Sequence, residues 1–351
     1  MEYLFPIDKI NKKDKCAIWG GGDAGRKLFE WNKRFQYCDI VVIFDKDLEL
    51  EFSYDVKVDR VDNWENYNFE KIIITMTRNI DQIKDIVKKI KLPVERCVFL
   101  AEEEYYIDHS YKDVCGNFDE QEIRDEWVKS RLQKIEAGKT LIDAGAGEMR
   151  YAQYCKHLNY IAQDFAEYVP NKVSEGLQPE VWDTSGINIR CDIIDMPLNN
   201  DSVDVILCTE VFEHLKNPIL AVREFSRILK PDGKLLLTAP FCSITHFAPY
   251  YYANGFSKYW YTDILNDYGF EVEAITPYGN YFTWLWQEMN RVKYVSQRYC
   301  DYKIKEEEIF SLFDSMKLLD KLSKIDTGSD ELLCAGHMVE AHKSGYKHDS
   351  Y

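Results

Sequence analysis

The sequence has no Cys-x-x-Cys pair, no apolar run of membrane-spanning length and no lysine- or arginine-rich stretch. Each absence excludes something. The ten cysteines stand apart, most in apolar contexts such as Ile206-Leu207-Cys208 and Leu333-Cys334. They read as small buried hydrophobes in a reducing compartment, not as a disulfide framework. The seven histidines do not fall at metal-ligand spacing, so no structural zinc and no metal site is expected. Met1-Glu-Tyr-Leu-Phe-Pro6 lacks a charged-then-apolar signal pattern, and with no membrane span the expected location is cytoplasmic. A net charge of −16 over 351 residues makes nucleic acid and anionic lipid poor partners. Aromatics are in excess, with 24 Tyr, 18 Phe and 8 Trp. They suit a core, or a site that grips a flat or sugar-like ligand.

The densest chemistry lies in Thr140–Glu148, which reads Thr-Leu-Ile-Asp-Ala-Gly-Ala-Gly-Glu. A short apolar strand runs into Asp143. Gly145 and Gly147 then let the backbone pass close to a ligand where a Cβ would collide, and a helix-like segment, Met149 to Leu158, follows. An acid at the strand end would repel phosphate. It suits an ammonium or a sulfonium, and S-adenosylmethionine carries both and no phosphate. A second strand from Tyr160 ends at Asp164, about twenty residues on, where an acid should grip ribose hydroxyls. The segment Ile187–Asp192 brings an acid near the adenine. A fourth strand, Val203–Cys208, ends in Thr209-Glu210. Asp143, Gly145, Gly147, Asp164, Asp192 and Glu210 are therefore the candidate cofactor-binding residues.

The front of the chain carries a second glycine turn. The strand Cys16–Trp19 leads into Gly20-x-Gly22-x-x-Gly25, a helix continues to about Phe35, and a second strand, Ile40–Phe44, ends at Asp45. This fits the dinucleotide fingerprint in its strand–turn–helix context. A later strand, Lys71–Thr75, and an amphipathic helix, Ile80–Ile90, with Ile83, Ile86, Val87 and Ile90 on one face, continue the unit. The unit is too short to hold a catalytic half. Tyr67-x-x-x-Lys71 matches a dehydrogenase dyad in letters only, since it runs into a strand. Two readings stay open: a nucleotide or nucleotide-sugar held at Gly20, Gly22, Gly25 and Asp45, or an interaction domain with an empty turn. This half resembles the small nucleotide-binding domain at the front of some bacterial sugar acetyltransferases and other surface-polysaccharide enzymes.

The expected division is 1–101 for that small domain, 102–138 for an acidic connector and covering helix, and 139–351 for the second domain. The covering helix starts at Phe118-Asp119, turns Ile123, Trp127, Leu132 and Ile135 inward, and stops at Gly138. In the second domain Asn217-Pro218 starts a helix as cap and first helical position. Lys230–Gly233 reads as a turn and Lys234–Thr238 as a fifth strand. Phe270–Ile275 and Leu332–Val339 read as the last strands, with a helical insert near 279–330 between them. Lys303–Glu308 reads as a solvated face. Strands alternating with helices give an α/β fold with a mostly parallel sheet.

The second domain resembles a class I S-adenosylmethionine-dependent methyltransferase. Residues 141–147 are similar to that family's first motif, with Arg150 in place of the usual third glycine. Asp164 matches its ribose acid and Asp192 its adenine-side acid. Glu210-Val-Phe-Glu-His-Leu215 and Leu229-Lys-Pro-Asp-Gly-Lys234 match its later signatures. More narrowly, Tyr160–Phe165 and Thr245–Trp260 resemble a bacterial small-molecule branch, many of whose members are associated with polysaccharide genes. The resemblance implies a Rossmann-like class I methyltransferase domain preceded by a smaller Rossmann-like domain. The Asp/Asn-Pro-Pro-Tyr/Phe motif is absent after the fourth strand, where Cys208-Thr-Glu-Val211 stands. This argues against DNA-adenine or glutamine methylation.

A hydroxyl acceptor needs a base near neutrality. His246, in an aromatic loop after the fifth strand, is the first candidate. His214 is the second, with a structural contact at the helix start as its simpler explanation. Tyr250, Tyr251 and Trp260 are the candidate acceptor wall. Glu288 and Arg291 read as an ion pair one helical turn apart. The leading expectation is methyl transfer to a hydroxyl of a sugar or nucleotide-sugar in surface polysaccharide biosynthesis. N-methylation of an amino sugar and a non-catalytic scaffold that binds S-adenosylmethionine are the alternatives. The expected partner is a small-molecule acceptor, and homo-oligomerisation is left open.

Overall fold

The computed structural model describes residues 6, 9–76, 78–100, 118–168, 183–300, 302, 304 and 306–344. The N-terminal Met1–Phe5, the acidic start of the connector and Lys303 lie outside the described residues. The chain forms two units: residues 1–117 with 305–318, and residues 118–304 with 319–351. The insert near 279–330 was expected to belong wholly to the second domain, but its stretch 305–318 counts with the first unit.

The first unit is a sheet of β1 (Lys15–Trp19), β2 (Asp39–Phe44), β3 (Val58–Asp59), β4 (Lys71–Ile74) and β5 (Cys97–Phe99), with helices α1 (Asp23–Phe35) and α2 (Ile80–Lys89). The order is β3-β2-β1-β4-β5 and every pairing is parallel. Parallel strands are covered on both faces, so they read as unbroken apolar runs: Ile72, Ile73 and Ile74 are all fully buried. On α1 the buried stripe is Leu28, Phe29, Trp31, Asn32 and Phe35. Phe35 meets Phe313 edge to face with centroids 5.8 Å apart, and Arg34 Nε donates to Asp314 at 2.8 Å. On α2, Ile83 and Val87 are buried while Ile86, expected on the inner face, is exposed.

The second unit has seven strands: β6 (Thr140–Ala144), β7 (Asn159–Asp164), β8 (Ile189–Arg190), β9 (Val203–Thr209), β10 (Leu229–Pro240), β11 (Phe270–Tyr278) and β12 (Gly336–Lys343). Their order is β11-β12-β10-β9-β6-β7-β8. β12 runs antiparallel to both of its neighbours, and the remaining pairs are parallel. The helices are α3 (Glu120–Leu132), α4 (Pro218–Ile228), α5 (Lys258–Asp267) and α6 (Tyr281–Tyr299), with the last residues, from Leu319, of α7 (Glu306–Ile325), whose first part counts with the first unit. Alternate residues of each strand feed two cores, as a period of two requires. Ile142, Ile206 and Leu235 join Phe212, Phe225 and Ile228 on one face, and Leu141, Val205 and Leu236 join Trp127, Val128 and Leu132 on the other.

Several local expectations need correction. Met149–Leu158 is not an α-helix. Only Ala152–Tyr154 forms a 3-10 turn, because Met149 sits at φ +56°, outside the helical region. Ile123 on α3 is exposed, while Asp119 caps that helix by accepting from the backbone N–H of Gln121 and Glu122. Lys230–Gly233 is a bulge within β10, where the register against β9 shifts between Leu229 and Lys234. The last strand begins at Gly336, after a 3-10 turn at Ser329–Glu331, and Leu332 is exposed ahead of it.

Candidate active site

Strand order in the second unit reverses between β6 and β9. Ligands of open α/β sheets bind outside the carboxyl ends of the strands at such a point. The loops after β6, β7, β9 and β10 line one cleft of about 1330 Å³ there, closed on its sides by α3 and α6.

The loop after β6 is held by its own backbone. The N–H groups of Gly145 and Ala146 both donate to the Gln163 carbonyl at 2.9 Å. Asp164 Oδ2 accepts from Gly147 N–H at 3.0 Å and Oδ1 from Ala166 N–H at 2.7 Å. Gly145 has φ +80°, and a Cβ there would lie 2.4 Å from Val211 Cγ2, so the position takes only glycine. Each Asp164 oxygen keeps a lone pair beyond those backbone bonds, and Asp164, Asp192 and Glu148 all line the cleft. The nearby arginines are engaged elsewhere: Arg150 with Asp125 and Arg190 with the Thr184 carbonyl, each at 2.8 Å. Carboxylates with lone pairs to spare over a tight glycine turn suit a ligand with hydroxyls and positive charge, which fits S-adenosylmethionine better than a phosphate.

Asp143 takes a different place from the one expected. It is absent from the cleft wall and is 1% exposed, accepting from the Tyr160 hydroxyl at 2.7 Å. Burial raises its pKa to about 7, against the lowering effect of that hydrogen bond. It supports the loop from beneath, so a direct charge contact with the cofactor is not its role here. Glu210 does line the cleft, with φ +52°. It accepts from the Thr238 hydroxyl at 2.9 Å and lies 3.6 Å from Arg124 on α3. Burial raises its pKa to about 7, and Arg124 offsets part of that. A residue with a side chain rarely holds a positive φ, and such strain gathers at functional sites.

In the same cleft the structure joins His214 to His246, with ring centroids 4.8 Å apart. His214 closes the 3-10 turn Phe212–His214 after β9, ahead of α4, and does not open that helix. His246 lies in the loop after β10. Glu213 stands between them, and the sequence reading passed it over. Its Oε1 is 3.6 Å from His214 Nε2 and 3.8 Å from His246 Nε2. Burial holds the His214 pKa below its ordinary value. Burial also draws His246 down, but the Glu213 carboxylate beside it and the Ile244 carbonyl reverse this, so its pKa is raised. The expectation that the histidines do not cluster fails because separation along the chain hides a meeting of two loops.

The aromatic wall is smaller than expected. Tyr250 lines the cleft, together with Phe247 and Tyr252. Tyr251 instead donates to the Ser243 carbonyl at 2.8 Å and packs 5.1 Å from the His246 ring. Trp260 packs in the core against Phe256 and Phe212, at 4.7 and 5.9 Å. Glu288 and Arg291 form the expected ion pair, and Arg291 also faces the cleft with Trp284 and Gln287. The contribution of α3, through Glu120, Gln121 and Arg124, had no motif to announce it beyond the helix itself.

In the first unit Asp45 Oδ2 accepts from Gly21 N–H at 2.6 Å, so the acid closes the glycine turn. A Cβ on Gly25 would fall 2.0 Å from the Gly20 carbonyl oxygen, which explains that glycine by packing alone. Tyr67 donates to Asp59 and the Lys71 ammonium to the Glu95 carbonyl, so these two form no dyad. The nine cysteines among the described residues are free thiols. No helix of the described residues is long and apolar enough to cross a membrane.

Residues 142–237 match the family model described as a methyltransferase domain. An uncharacterized methyltransferase of Mycobacterium ulcerans is 30% identical over 118 residues, covering 33% of this chain and 44% of that one. A Mycobacterium tuberculosis chain named probable S-adenosylmethionine-dependent methyltransferase is 30% identical over 120 residues, covering 33% and 41%. The chain thus spans less than half the length of these curated relatives. Among solved structures, an S-adenosylmethionine dependent methyltransferase from Mesorhizobium loti is 14% identical and covers 62% of this chain and 97% of that one, with a TM-score of 0.37. That score adds nothing to the strand order. With the seven-stranded order and the glycine loop beside it, the family match makes residues 142–237 a methyltransferase domain.

Proposed function

We propose that the protein transfers a methyl group from S-adenosylmethionine to a small-molecule acceptor, with a hydroxyl of a sugar or nucleotide-sugar as the favoured acceptor. The observation that carries the reading is the single cleft that joins the glycine loop and Asp164 to the Glu213–His214–His246 cluster. Bound at the loop, the cofactor supplies an already activated methyl. The chain then has to orient the acceptor, exclude water and deal with the acceptor's proton. Asp164 and Asp192 hold the nucleoside end. Tyr250 and Tyr252 line the cleft with flat rings of the kind that sugars stack on, while Phe247 is stacked on Tyr168 at 4.3 Å. His246, on the cleft wall beside Glu213, is the residue to receive the acceptor's proton. A role in polysaccharide biosynthesis and a cytoplasmic location belong to the same reading.

Glu210 and Glu213, both facing the cleft, favour a second reading in which the acceptor is the amine of an amino sugar, held first as its ammonium. The first unit would hold a nucleotide-sugar or a partner. The deciding experiment supplies methyl-labelled S-adenosylmethionine with panels of nucleotide-sugars and amino sugars. It counts label in product against hydrolysis without acceptor. Binding of the cofactor with no transfer to any member of either panel would favour the scaffold alternative.

A further inference from the structure

Three acceptor atoms face one another at the acceptor end of the cleft. The ligand atoms of Glu213, His214 and His246 all lie within 4.8 Å of each other. The other nitrogen of each ring is committed. His214 Nδ1 contacts the Tyr250 carbonyl at 2.6 Å, and His246 Nδ1 contacts the Ile244 carbonyl at 2.9 Å. A ring nitrogen facing a carbonyl oxygen must carry its proton, so in the neutral imidazole each Nε2 is a bare lone pair. The Glu213 side chain is 1% exposed, and neither of its carboxylate oxygens has a hydrogen-bond partner. Buried carboxylates are paired or bind metal, because an uncompensated one is costly. Two lone pairs and an anion pointing together call for a cation among them.

The spacing says what kind of cation. Separations of 3.6 and 3.8 Å from Glu213 Oε1 to the two Nε2 atoms are too long for hydrogen bonds. Ligands sharing one ion at about 2.1 Å stand roughly 3–3.6 Å apart; the two Glu213 separations are near that span, and with all three atoms within 4.8 Å of one another closing the cluster on an ion takes ring movements of up to about an ångström. Two imidazoles and one carboxylate select zinc or another first-row divalent ion over calcium or magnesium, which prefer all-oxygen sites. The two backbone carbonyls fix the rings in the way that outer partners of metal-bound histidines do.

We propose that Glu213, His214 and His246 bind one divalent transition-metal cation, with its remaining coordination positions open to the cleft. The use of that ion rests on the methyl-transfer reading. The acceptor hydroxyl binds the ion, which lowers its pKa, and its proton leaves to water. The oxygen forms the new bond to the methyl carbon as the carbon–sulfur bond breaks, and that electron pair stays on sulfur. His246 then acts as a ligand, and the cation takes over the activation otherwise assigned to a histidine base. The reaction needs no oxidant or reductant.

The test uses the full chain, stripped with EDTA and titrated with Zn²⁺ alone and with Co²⁺ alone. The expected result is one Zn²⁺ per chain with Kd in the micromolar range or tighter, and visible d–d bands on Co²⁺ loading. His246→Ala and Glu213→Gln should each weaken Zn²⁺ binding at least about tenfold, while His246→Ala keeps its affinity for S-adenosylmethionine. Asp164→Ala should lose cofactor affinity and keep its zinc, so failure of the metal site and failure of the cofactor reading appear in separate titrations. Should Glu213→Gln not fold, X-ray absorption of the zinc-loaded wild-type chain decides: two imidazole ligands are expected, and a zinc sphere without them overturns the proposal. Absence of Zn²⁺ binding up to millimolar concentration overturns it, as does binding unchanged by His246→Ala. Either result would leave the acceptor's own ammonium as the missing cation.

Discussion

His214 and His246 meet almost at right angles, 81° between ring planes and 4.8 Å between centroids, with Glu213 Oε1 within 4 Å of both Nε2 atoms. The pair and the glycine loop line the same cleft from different loops. Cofactor binding and acceptor activation should therefore respond separately to mutation. His246→Ala is expected to leave the cofactor Kd within about twofold and to reduce turnover by about 10²- to 10⁴-fold, the usual scale for loss of acceptor activation. Turnover close to wild type across pH 6 to 9 would remove the cluster from the chemistry.

Asp164→Ala should weaken S-adenosylmethionine binding by about 1–3 kcal/mol, the scale of hydrogen bonds to a charged group. Calorimetry on the full chain measures it. Asp164→Asn keeps only one of the two oxygens that accept from the Gly147 and Ala166 N–H groups, so thermal unfolding of both variants, read beside their Kd, separates the ligand's share from the loop's. If both variants bind as wild type does, the ribose assignment fails.

Gly145→Ala combines a positive φ with a clash on Val211. We expect it to destabilise the second unit by more than about 1 kcal/mol and to abolish cofactor binding. Adding Val211→Ala should recover the packing part and not the backbone part. Thermal unfolding of the two variants checks this, and full recovery in the double variant would show that the backbone carries no strain.

Asp143 sets a pH dependence. Its folded pKa of about 7 lies above the ordinary 3.8 because it is buried, so folding favours the protonated form. The stability this gives is fully present below the unfolded value and is lost as pH rises toward 7. Asp143→Asn is neutral throughout, so its stability relative to wild type should climb between about pH 4 and pH 7. The total should be a few kcal/mol at most, at about 1.4 kcal/mol per pKa unit. Urea unfolding at several pH values measures it, and a pH-independent difference would show a carboxylate that stays ionised in the fold.

For the first unit, UDP and UDP-sugars should raise the melting temperature of the full chain without S-adenosylmethionine, by the mass-action term for a ligand bound only to the folded state. The motivation is the turn at Gly20–Gly25 closed by Asp45. If no nucleotide gives a shift, the interaction-domain reading stands in its place.

The sheet and the loops at its carboxyl ends were legible because their signals are local. Apolar runs mark β1, β4, β6 and β9, and Gly20, Gly145 and Glu210 follow directly after β1, β6 and β9. What stayed hidden depends on two distant segments meeting. Glu213 looked like one more letter of a signature until the loop after β10 brought His246 over it. Asp143 has the letters of a ligand contact, yet Tyr160 on the adjoining strand claims it. Trp260 and Tyr251 sit in a run dense with aromatics, and density alone does not say which rings face inward. Met149 ended a helix that its neighbours allow, by a backbone angle that its side chain does not advertise.

β12 lies between β10 and β11 and hydrogen-bonds to both, yet β11 is made long before it. While the ribosome is still producing α6 and α7, β11 has no partner and β10 keeps one bare edge. Both would be open to pairing with other chains. The sheet closes only when Gly336–Lys343 emerges. A nascent chain halted before that segment should therefore be the aggregation-prone and protease-sensitive species of this protein, while one halted after it should already protect β11.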